Sequence, residues 1–509
     1  MGGAGSNEAA RLRRQGLERQ AAGRFEEAYG LLRRRAMLTP RDPAAWADMA
    51  HCLLAAGKSE GALRAWDAAL TLAPDSAALL CGKARVLHGL GLNEAAKALL
   101  TRALAAAPES FEAGFDLARL AVEGGDWEEA ARLAAVLQAA QGDRPEAKWL
   151  SLRILLGQGA LSEAESLAAR LAAEPRLGPE QRADVLLLRA SALDRLGRAS
   201  EAFEAAAAGK GLQRRQFAAR AQAREGAVVR LQRLGAWFET ADPADWTAGA
   251  AAAPAPREPR VHAFILGFPR SGTTLLEQAL AGHPEVLALE EPPTLAAPAN
   301  EFLGSAGGLA RLARLPQAEI RAWRDRYFAE VRALGGDPAG KVLVDKAPAE
   351  TASLPLIARL FPQAKVLFAV RDPRDVVLSC FMSSFQMNAL TYAFTDLGQT
   401  AAAYAATMTL AETCRRLLPL SRLEVRHEAL VLDFEAGLAQ VARFLELQMH
   451  PAMSDIAATA QGRPVRTPSA PQVRGGLTTA RLGRWRAYGA ALEPVQGTLE
   501  PWVRRFGYA

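Results

Sequence analysis

The sequence predicts an all-helical repeat domain followed by an α/β domain with a parallel β-sheet. In the first half, small and helix-ending residues return with a fixed period, which is typical of a stacked helical array. In the second half, apolar runs of strand length alternate with helical segments. That alternation favours parallel strands with helices on both faces of the sheet.

The length and composition set the limits of the interpretation. The chain has 509 residues, which predicts two or three domains. Its formal net charge of +6 suits an anionic ligand as well as a nucleic acid and decides nothing alone. We expect no membrane-spanning segment and no secretory signal. The 4 cysteines have no paired metal-binding spacing, so we expect reduced thiols in a cytoplasmic protein without a metal site.

Glycine, alanine and proline recur with one period in the first half. The glycines are Gly23, Gly57, Gly91, Gly125 and Gly159, spaced by 34 residues; the alanines, five residues later, are Ala28, Ala62, Ala96, Ala130 and Ala164; the prolines are Pro40, Pro74 and Pro108. Glycine permits a tight turn between helices, alanine permits close helix approach, and proline ends each unit. A looser sixth copy contains Gly197 and Ala202.

This pattern resembles the tetratricopeptide repeat. The resemblance implies a superhelix whose concave face binds a peptide or another protein. A scaffold that only dimerises or stabilises the neighbouring domain is the alternative.

The repeat array is expected to end near Trp246. We therefore predict a helical repeat domain at 1–246, an Ala/Pro-rich linker at 247–260 and an α/β domain at 261–509. The basic stretch from Lys210 to Arg233 is interpreted as the solvated side of a long connecting helix. A nucleic-acid face is the weaker alternative, and no nucleic-acid partner is expected.

Strands and helices alternate through the second half. Strands are predicted in 261–268, 341–348, at the start of 364–381 and in 421–430, with helices in 273–283, 352–362 and 437–447. In such sheets the ligand lies beyond the carboxyl ends of the strands.

The segment FILGFPRSGTTLLEQA (264–279) has the glycine spacing of a phosphate-binding P-loop, through Gly267 and Gly272. However, Thr273 stands where the P-loop lysine should be. Backbone amides at the helix start would still bind a phosphate or sulfate. Arg270 offers a planar fork for a doubly anionic group. The loop is therefore predicted to bind a nucleotide with a single terminal phosphate-like group.

PRSGTTLLEQ resembles the 5′-phosphosulfate loop of sulfotransferases that use 3′-phosphoadenosine 5′-phosphosulfate (PAPS), particularly bacterial tetratricopeptide-repeat sulfotransferases and tyrosylprotein sulfotransferases. RDPRDVVLSCF (371–381) resembles their 3′-phosphate segment. The resemblance continues through VDKAP, VRHEAL, SAPQVRGGLTTARLGRW and a final FGY, and it covers essentially the whole second half.

The resemblance implies a set of cofactor contacts. They are Arg270, Ser271, Gly272, Thr273 and Thr274 for the 5′-phosphosulfate, Arg371 and Ser379 for the 3′-phosphate, and Ser469 and Arg484 in the C-terminal segment.

The resemblance also implies the catalytic residues. Glu291 matches the glutamate base, and Lys346 matches the lysine that stabilises the transferring group, with Arg270 assisting. A one-residue shift of register would make Glu290 the base. His283, which ends a helix, is expected to have a structural role.

Some residues depart from the family pattern. His427 stands where tyrosylprotein sulfotransferases place a cofactor-contacting tyrosine, which leaves its role open. Glu350 is charged at a position where the bacterial tetratricopeptide-repeat sulfotransferases often have an uncharged polar residue. Arg474 with Gly475 and Gly476 is hypothesised to form a loop that closes over PAPS.

The expected function is transfer of a sulfuryl group from PAPS to a hydroxyl, with a peptide or protein tyrosine among the acceptors, and release of adenosine 3′,5′-bisphosphate. No metal is expected. A kinase-like phosphotransferase is disfavoured by Thr273, and a repeat scaffold with an inactive transferase domain is the other alternative. The acceptor and the existence of a homodimer stay open.

Overall fold

The computed structural model describes residues 2–222, 225–247, 257–462 and 474–508. It forms two compact units, Met1–Leu167 and Ala168–Ala509. Helices come first and a parallel sheet follows, so the predicted fold class is confirmed. Within the described ranges, no helix combines the length and the apolarity that a bilayer crossing requires. The 4 cysteines are buried and free.

The first unit consists of short helices joined by glycine turns. The five periodic glycines of this unit, and Gly197 of the looser copy in the second unit, have positive φ angles between 73° and 82°. Glycine adopts this left-handed backbone conformation more readily than other residues do. The six following alanines are 0% exposed, so the predicted turn and contact positions are confirmed. The helices, of which α10 continues past the boundary, are α1 (Gly2–Ala21), α2 (Phe25–Leu38), α3 (Pro43–Ala55), α4 (Ser59–Leu72), α5 (Ala77–Gly89), α6 (Asn93–Ala106), α7 (Phe111–Gly124), α8 (Trp127–Gln141), α9 (Pro145–Gln158) and α10 (Leu161–Ala172).

A helical layer belongs to the same compact unit as the sheet. It contains α11 (Pro179–Arg195), α12 (Ala199–Gln222), α13 (Ala227–Glu239) and α14 (Ala244–Thr247). Leu193, Phe238 and Trp246 of this layer share one apolar core with Phe264 and Phe268 of the α/β domain. The sequence-based division at residue 246 and the linker at 247–260 stay predictions, since residues 248–256 lie outside the described residues.

The sheet has five strands in the order β2-β3-β1-β4-β5, and every neighbouring pair is parallel. Successive strand residues point to opposite faces, so Phe264 and Leu266 enter one core while Ala263 and Ile265 enter the other. The sequence did not predict strand β2, because it has a single β-branched residue and ends at Glu290, directly before Glu291 and two prolines. The strands are β1 (Val261–Leu266), β2 (Val286–Glu290), β3 (Val342–Lys346), β4 (Lys365–Val370) and β5 (Ser421–Arg426).

Helices cover both faces of the sheet. They are α15 (Thr273–Ala281), α16 (Ala296–Phe302), α17 (Ala306–Ala313), α18 (Gln317–Ala333), α19 (Leu354–Leu360), α20 (Pro373–Met382), α21 (Ala389–Ala393), α22 (Leu397–Leu417), α23 (His427–Leu432), α24 (Phe434–Phe444), α25 (Ile456–Gly462) and α26 (Gly489–Arg505), with 3-10 helices at Pro348–Ser353, Pro451–Met453 and Arg484–Tyr488.

The prediction that the basic stretch is a solvated face is wrong for Lys210. Its side chain is 0% exposed, and Nζ donates a hydrogen bond to the Ser383 carbonyl at 2.6 Å. Burial lowers the pKa of Lys210 to about 8. Nearby, the Phe203 ring stacks on Phe381, with centroids 5.2 Å apart. Helix α12 therefore packs against α20 of the α/β domain rather than facing water.

We predict that the helical layer is required for the α/β domain to fold. A fragment of residues 247–509 would expose the core that Leu193, Phe238 and Trp246 cover, and it is expected to aggregate. A fragment of residues 174–509 keeps α11 to α14 and should stay soluble with a cooperative thermal transition. Size-exclusion chromatography and circular dichroism compare the two. The same melting temperature for both fragments would contradict the prediction.

Candidate functional site

The predicted phosphate-binding loop joins β1 to α15 and requires glycine at both of its ends. Gly267 has a φ of 150°, and a Cβ there would lie 2.6 Å from the Ala369 carbonyl oxygen. Gly272, the N-cap of α15, has a φ of 93°, and a Cβ there would clash with His427 Nδ1. The Gly267 amide also donates to Thr351 Oγ1 at 3.1 Å. These close approaches fix the loop at the carboxyl end of β1.

Arg270 connects the loop to α20. Its Nε donates to Ser379 Oγ at 3.0 Å, and Arg371 donates to the Arg270 carbonyl at 3.4 Å. Arg270 is 8% exposed and has a positive φ of 74°, a strained conformation that concentrates at functional sites. Arg270, Arg371 and Ser379 thus lie together. The sequence analysis assigned Arg270 to the 5′ end of one nucleotide and the other two residues to its 3′ end. Ser271, Thr273 and Thr274 are buried beside them.

Four arginines converge around this point. Burial, with smaller contributions from Arg371, Arg481 and Arg484, lowers the pKa of Arg270 to about 9. Burial also lowers the pKa of Arg481, with Arg484 and Arg371 adding to the effect. Arg371 donates to the Arg481 carbonyl at 2.8 Å. The neighbouring guanidinium groups disfavour the charged forms of Arg270 and Arg481, so a bound anion would stabilise the cluster.

Asp375 attaches the C-terminal segment to α20. Its carboxylate accepts hydrogen bonds from the Gly483 amide at 2.9 Å and the Trp485 amide at 2.7 Å, and it lies 3.4 Å from Arg371. Burial raises the pKa of Asp375, although Arg371 opposes that effect. Sequence reasoning missed Asp375 and Arg481, although both lie within the segments that carried the resemblance.

The two predicted C-terminal contacts differ in outcome. Arg484 lies with the arginine cluster and forms an ion pair with Asp194, Nε to Oδ1, at 2.8 Å. Ser469 lies outside the described residues. The hypothesis that Arg474, Gly475 and Gly476 close over a nucleotide stays a prediction.

Lys346 meets both candidate glutamates at the edge formed by β2 and β3. Its side chain is 0% exposed, and Nζ lies 3.0 Å from Glu291 Oε1 and 3.5 Å from Glu290 Oε1. Glu290 pairs with Lys346 in the parallel register, and Glu291 follows it with a positive φ of 50°. The Glu291 side chain is 42% exposed, against 11% for Glu290. Glu291 is therefore the more accessible of the two carboxylates.

A buried hydrogen-bond network supports the turn after Glu291. Thr294 Oγ1 and the Tyr327 hydroxyl donate to Asp345 Oδ2 at 2.9 Å and 2.7 Å. His262 Nε2 lies 3.0 Å from the Tyr327 hydroxyl. Burial raises the pKa of Asp345 to about 6, while the two donors oppose the shift. Asp345 thus links β3 to the turn after Glu291 and to α18.

The two candidate histidines have different surroundings. His283 is satisfied at both nitrogens, by the Glu285 amide at 3.1 Å and the Gln448 carbonyl at 3.1 Å, which fits a structural role. Burial, then Arg371 and Arg270, lowers the pKa of His427 to about 3, so its ring is neutral at physiological pH. Its Nδ1 is buried with no hydrogen-bond partner among the described residues.

Two further acidic residues have local roles. Asp372 accepts from the Arg374 amide at 2.9 Å and so caps α20. Glu350 accepts a hydrogen bond from the Ser353 hydroxyl. Across the described ranges, no group of three or more His, Cys, Asp or Glu side chains is arranged to hold a metal ion.

Comparisons with known proteins match both the α/β domain and the helical repeats that precede it in the sequence. Residues 263–451 match the Sulfotransferase family, and residues 20–86 and 87–154 match the tetratricopeptide repeat. The chain therefore carries a sulfotransferase-family domain preceded by tetratricopeptide repeats.

Individual relatives cover the chain in part. An uncharacterized protein of Aquifex aeolicus (strain VF5) is 30% identical over 46% of this chain and 31% of its own length. Protein-tyrosine sulfotransferase 2 of Gallus gallus is 31% identical over 36% of this chain and 50% of its own length. The chain thus spans between about a third and a half of these curated relatives. The solved sulfotransferase domain from the Synechococcus PCC 7002 olefin synthase is 25% identical, covers 46% of this chain and 90% of that one, and has a TM-score of 0.34.

We predict that Gly272→Ala damages the site more than an equivalent change elsewhere. At position 272 the backbone has a positive φ, and the new Cβ clashes with His427. At position 340 the backbone also has a positive φ, of 71°, but the new Cβ has no neighbouring atom within 4 Å. Both variants should lose about 1–2 kcal/mol from the left-handed backbone. Gly272→Ala should lose roughly 1–3 kcal/mol more through overpacking, measured by denaturant unfolding.

The double variant Gly272→Ala/His427→Ala separates the two effects. If the clash is responsible, removing the imidazole should recover part of the lost stability. Equal losses for Gly272→Ala and Gly340→Ala would show that the contact with His427 has no cost.

Proposed function

We propose that this protein is a PAPS-dependent sulfotransferase that transfers a sulfuryl group to a hydroxyl acceptor and releases adenosine 3′,5′-bisphosphate. The observation that carries the proposal is the arginine cluster: Arg270 of the phosphate loop bonds to Ser379 and lies beside Arg371, Arg481 and Arg484. A donor nucleotide with phosphate groups at both the 5′ and the 3′ positions matches this concentration of positive charge.

The residues present fit the donor. Glycine at 267 and 272 lets the loop pack closely against Ala369 and His427, and Thr273 and Thr274 begin a helix whose amides favour an anion. Arg371 Nε is buried without a hydrogen-bond partner in the described part of the chain, so it offers a donor for a 3′-phosphate. Thr273 in place of the P-loop lysine supports a phosphosulfate over a nucleoside triphosphate.

The reaction forms a bond between the acceptor oxygen and sulfur while the bond from sulfur to the phosphate oxygen breaks. We assign the acceptor proton to the Glu291 carboxylate, which is the more exposed of the two glutamates. We assign stabilisation of the transferring sulfuryl group to Lys346, whose Nζ contacts both Glu290 and Glu291. Positioned charges and proton removal are the main contributions that a protein makes to such transfers.

For the acceptor, we propose the hydroxyl of a tyrosine in a peptide or protein. Similarity to the protein-tyrosine sulfotransferase of Gallus gallus supports this choice. The tetratricopeptide repeats, a module that commonly binds peptides, support it as well, through the proposed use of their concave face.

We predict that Glu291→Gln lowers kcat by about 10²- to 10⁴-fold, because it removes the proposed base while keeping the shape of the side chain. Glu290→Gln is the matched control, since it alters the adjacent carboxylate that contacts the same lysine. Turnover is measured with PAPS and a tyrosine-containing peptide. Release of adenosine 3′,5′-bisphosphate reports the rate.

A larger loss in Glu290→Gln than in Glu291→Gln would move the base by one residue. Near-normal turnover in both variants would remove the proposed mechanism. Phosphate transfer from ATP that depends on magnesium would instead favour a kinase-like enzyme.

A further inference from the structure

The helical layer supplies an acidic residue to the arginine cluster. Asp194 lies near the end of α11, and its Oδ1 accepts from Arg484 Nε at 2.8 Å and from the Tyr488 hydroxyl at 2.6 Å. The Asp194 and Arg484 side chains are 14% and 16% exposed. Both partners of Asp194 lie on the 3-10 helix Arg484–Tyr488, so one carboxylate holds both ends of that helix.

Neighbouring positive charges repel the Arg484 guanidinium. It lies close enough to Arg270 and Arg481 to contribute to the lowering of their pKa values. Its Nη2 contacts the Met382 sulfur at 3.1 Å, and a thioether is only a weak acceptor. The Asp194 carboxylate is therefore the counter-charge that retains the Arg484 guanidinium among like charges.

The attachment of the layer continues along α20, the helix that carries Ser379. Phe203 stacks on Phe381, and Lys210 donates to the Ser383 carbonyl just beyond the helix. Asp375 of the same helix binds the Gly483 and Trp485 amides. The segment that presents Arg484 is thus fixed from two sides, by Asp375 of the α/β domain and by Asp194 of the helical layer.

We propose that Asp194 is a positioning residue of the nucleotide site, which holds Arg484 for the 3′-phosphate of the donor. The helical layer is accordingly a working part of the transferase and not a detachable end of the repeat array. This inference rests on the proposed function, because it assumes that the arginine cluster binds a nucleotide with a 3′-phosphate.

The experiment measures binding of adenosine 3′,5′-bisphosphate and AMP to the full chain by calorimetry, for the wild type, Asp194→Ala and Asp194→Asn. Asp194→Ala should weaken binding of the bisphosphate about 10-fold, the order expected when a charge-assisted contact is lost. Binding of AMP should change less than about 2-fold, because the effect is confined to the 3′-phosphate. The KM for PAPS should rise in parallel, while kcat stays within about 2-fold.

Two further variants separate positioning from general destabilisation. On an Arg484→Ala background, Asp194→Ala should add no further loss of bisphosphate binding, since the residue that it positions is already gone. Arg233→Met is the control: it removes a different bond of the layer to the α/β domain, from Arg233 to the Leu303 carbonyl at 3.1 Å. Its affinity for the bisphosphate should be that of the wild type.

The outcomes are distinguishable. A wild type that prefers the bisphosphate, with the same preference in both Asp194 variants, overturns the inference and leaves the proposed function intact. A wild type with no preference overturns both. If Asp194→Ala does not fold by circular dichroism, Asp194→Asn decides, because it keeps the shape and removes the charge. An equal loss for both nucleotides would identify a merely structural role and overturn the inference.

Discussion

The site depends on the convergence of four buried or half-buried arginines. Arg270, Arg371, Arg481 and Arg484 come from three separate segments of the chain, and their positive charges help to lower the pKa values of Arg270 and Arg481. Two carboxylates hold them in place: Asp375 beside Arg371, and Asp194 beside Arg484. Two carboxylates beside four guanidinium groups leave an excess of positive charge. A dianionic group is the ligand chemistry that such an excess favours.

Backbone strain occurs at two residues with proposed chemical roles. Arg270 and Glu291 have positive φ angles, and among the described non-glycine residues only Glu446 shares that property. Arg270 is fixed by its bond to Ser379, and Glu291 by its ion pair with Lys346 and the hydrogen bond from its amide to the Lys346 carbonyl at 2.9 Å. Such positions persist only where the surroundings determine them, so the strain supports a functional reading of both residues.

The fold could be predicted from the sequence where the signal was local. The glycine and alanine period predicted where the repeats turn and where their helices pack together. The apolar runs predicted four of the five strands. The strand β2 (VLALE) was missed because it has a single β-branched residue and is followed by Glu291 and two prolines, whereas the equally short β3 (VLVDK) has two valines. Lys210 was misassigned because charge alone predicts exposure, whereas α12 packs against α20 over a long sequence distance.

The site was predictable where residues lie in recognisable segments, as Arg270, Arg371, Ser379 and Lys346 do. Asp194 could not be found in this way, because it lies in the helical half of the sequence and meets Arg484 only in the fold. The choice between Glu290 and Glu291 also depends on tertiary structure. Both contact Lys346, and the difference between them is exposure rather than identity.

The central claim is that the arginine cluster recognises a nucleotide with phosphate groups at both ends of its ribose. Calorimetry of the wild-type chain with adenosine 3′,5′-bisphosphate and with adenosine 5′-diphosphate, at equal ionic strength, tests it most directly, because both nucleotides carry two phosphate groups and differ in where the second is placed. The account predicts that the 3′,5′-bisphosphate binds tighter by roughly 100-fold, the scale of two charge-assisted contacts. Equal affinity for the two nucleotides would contradict it.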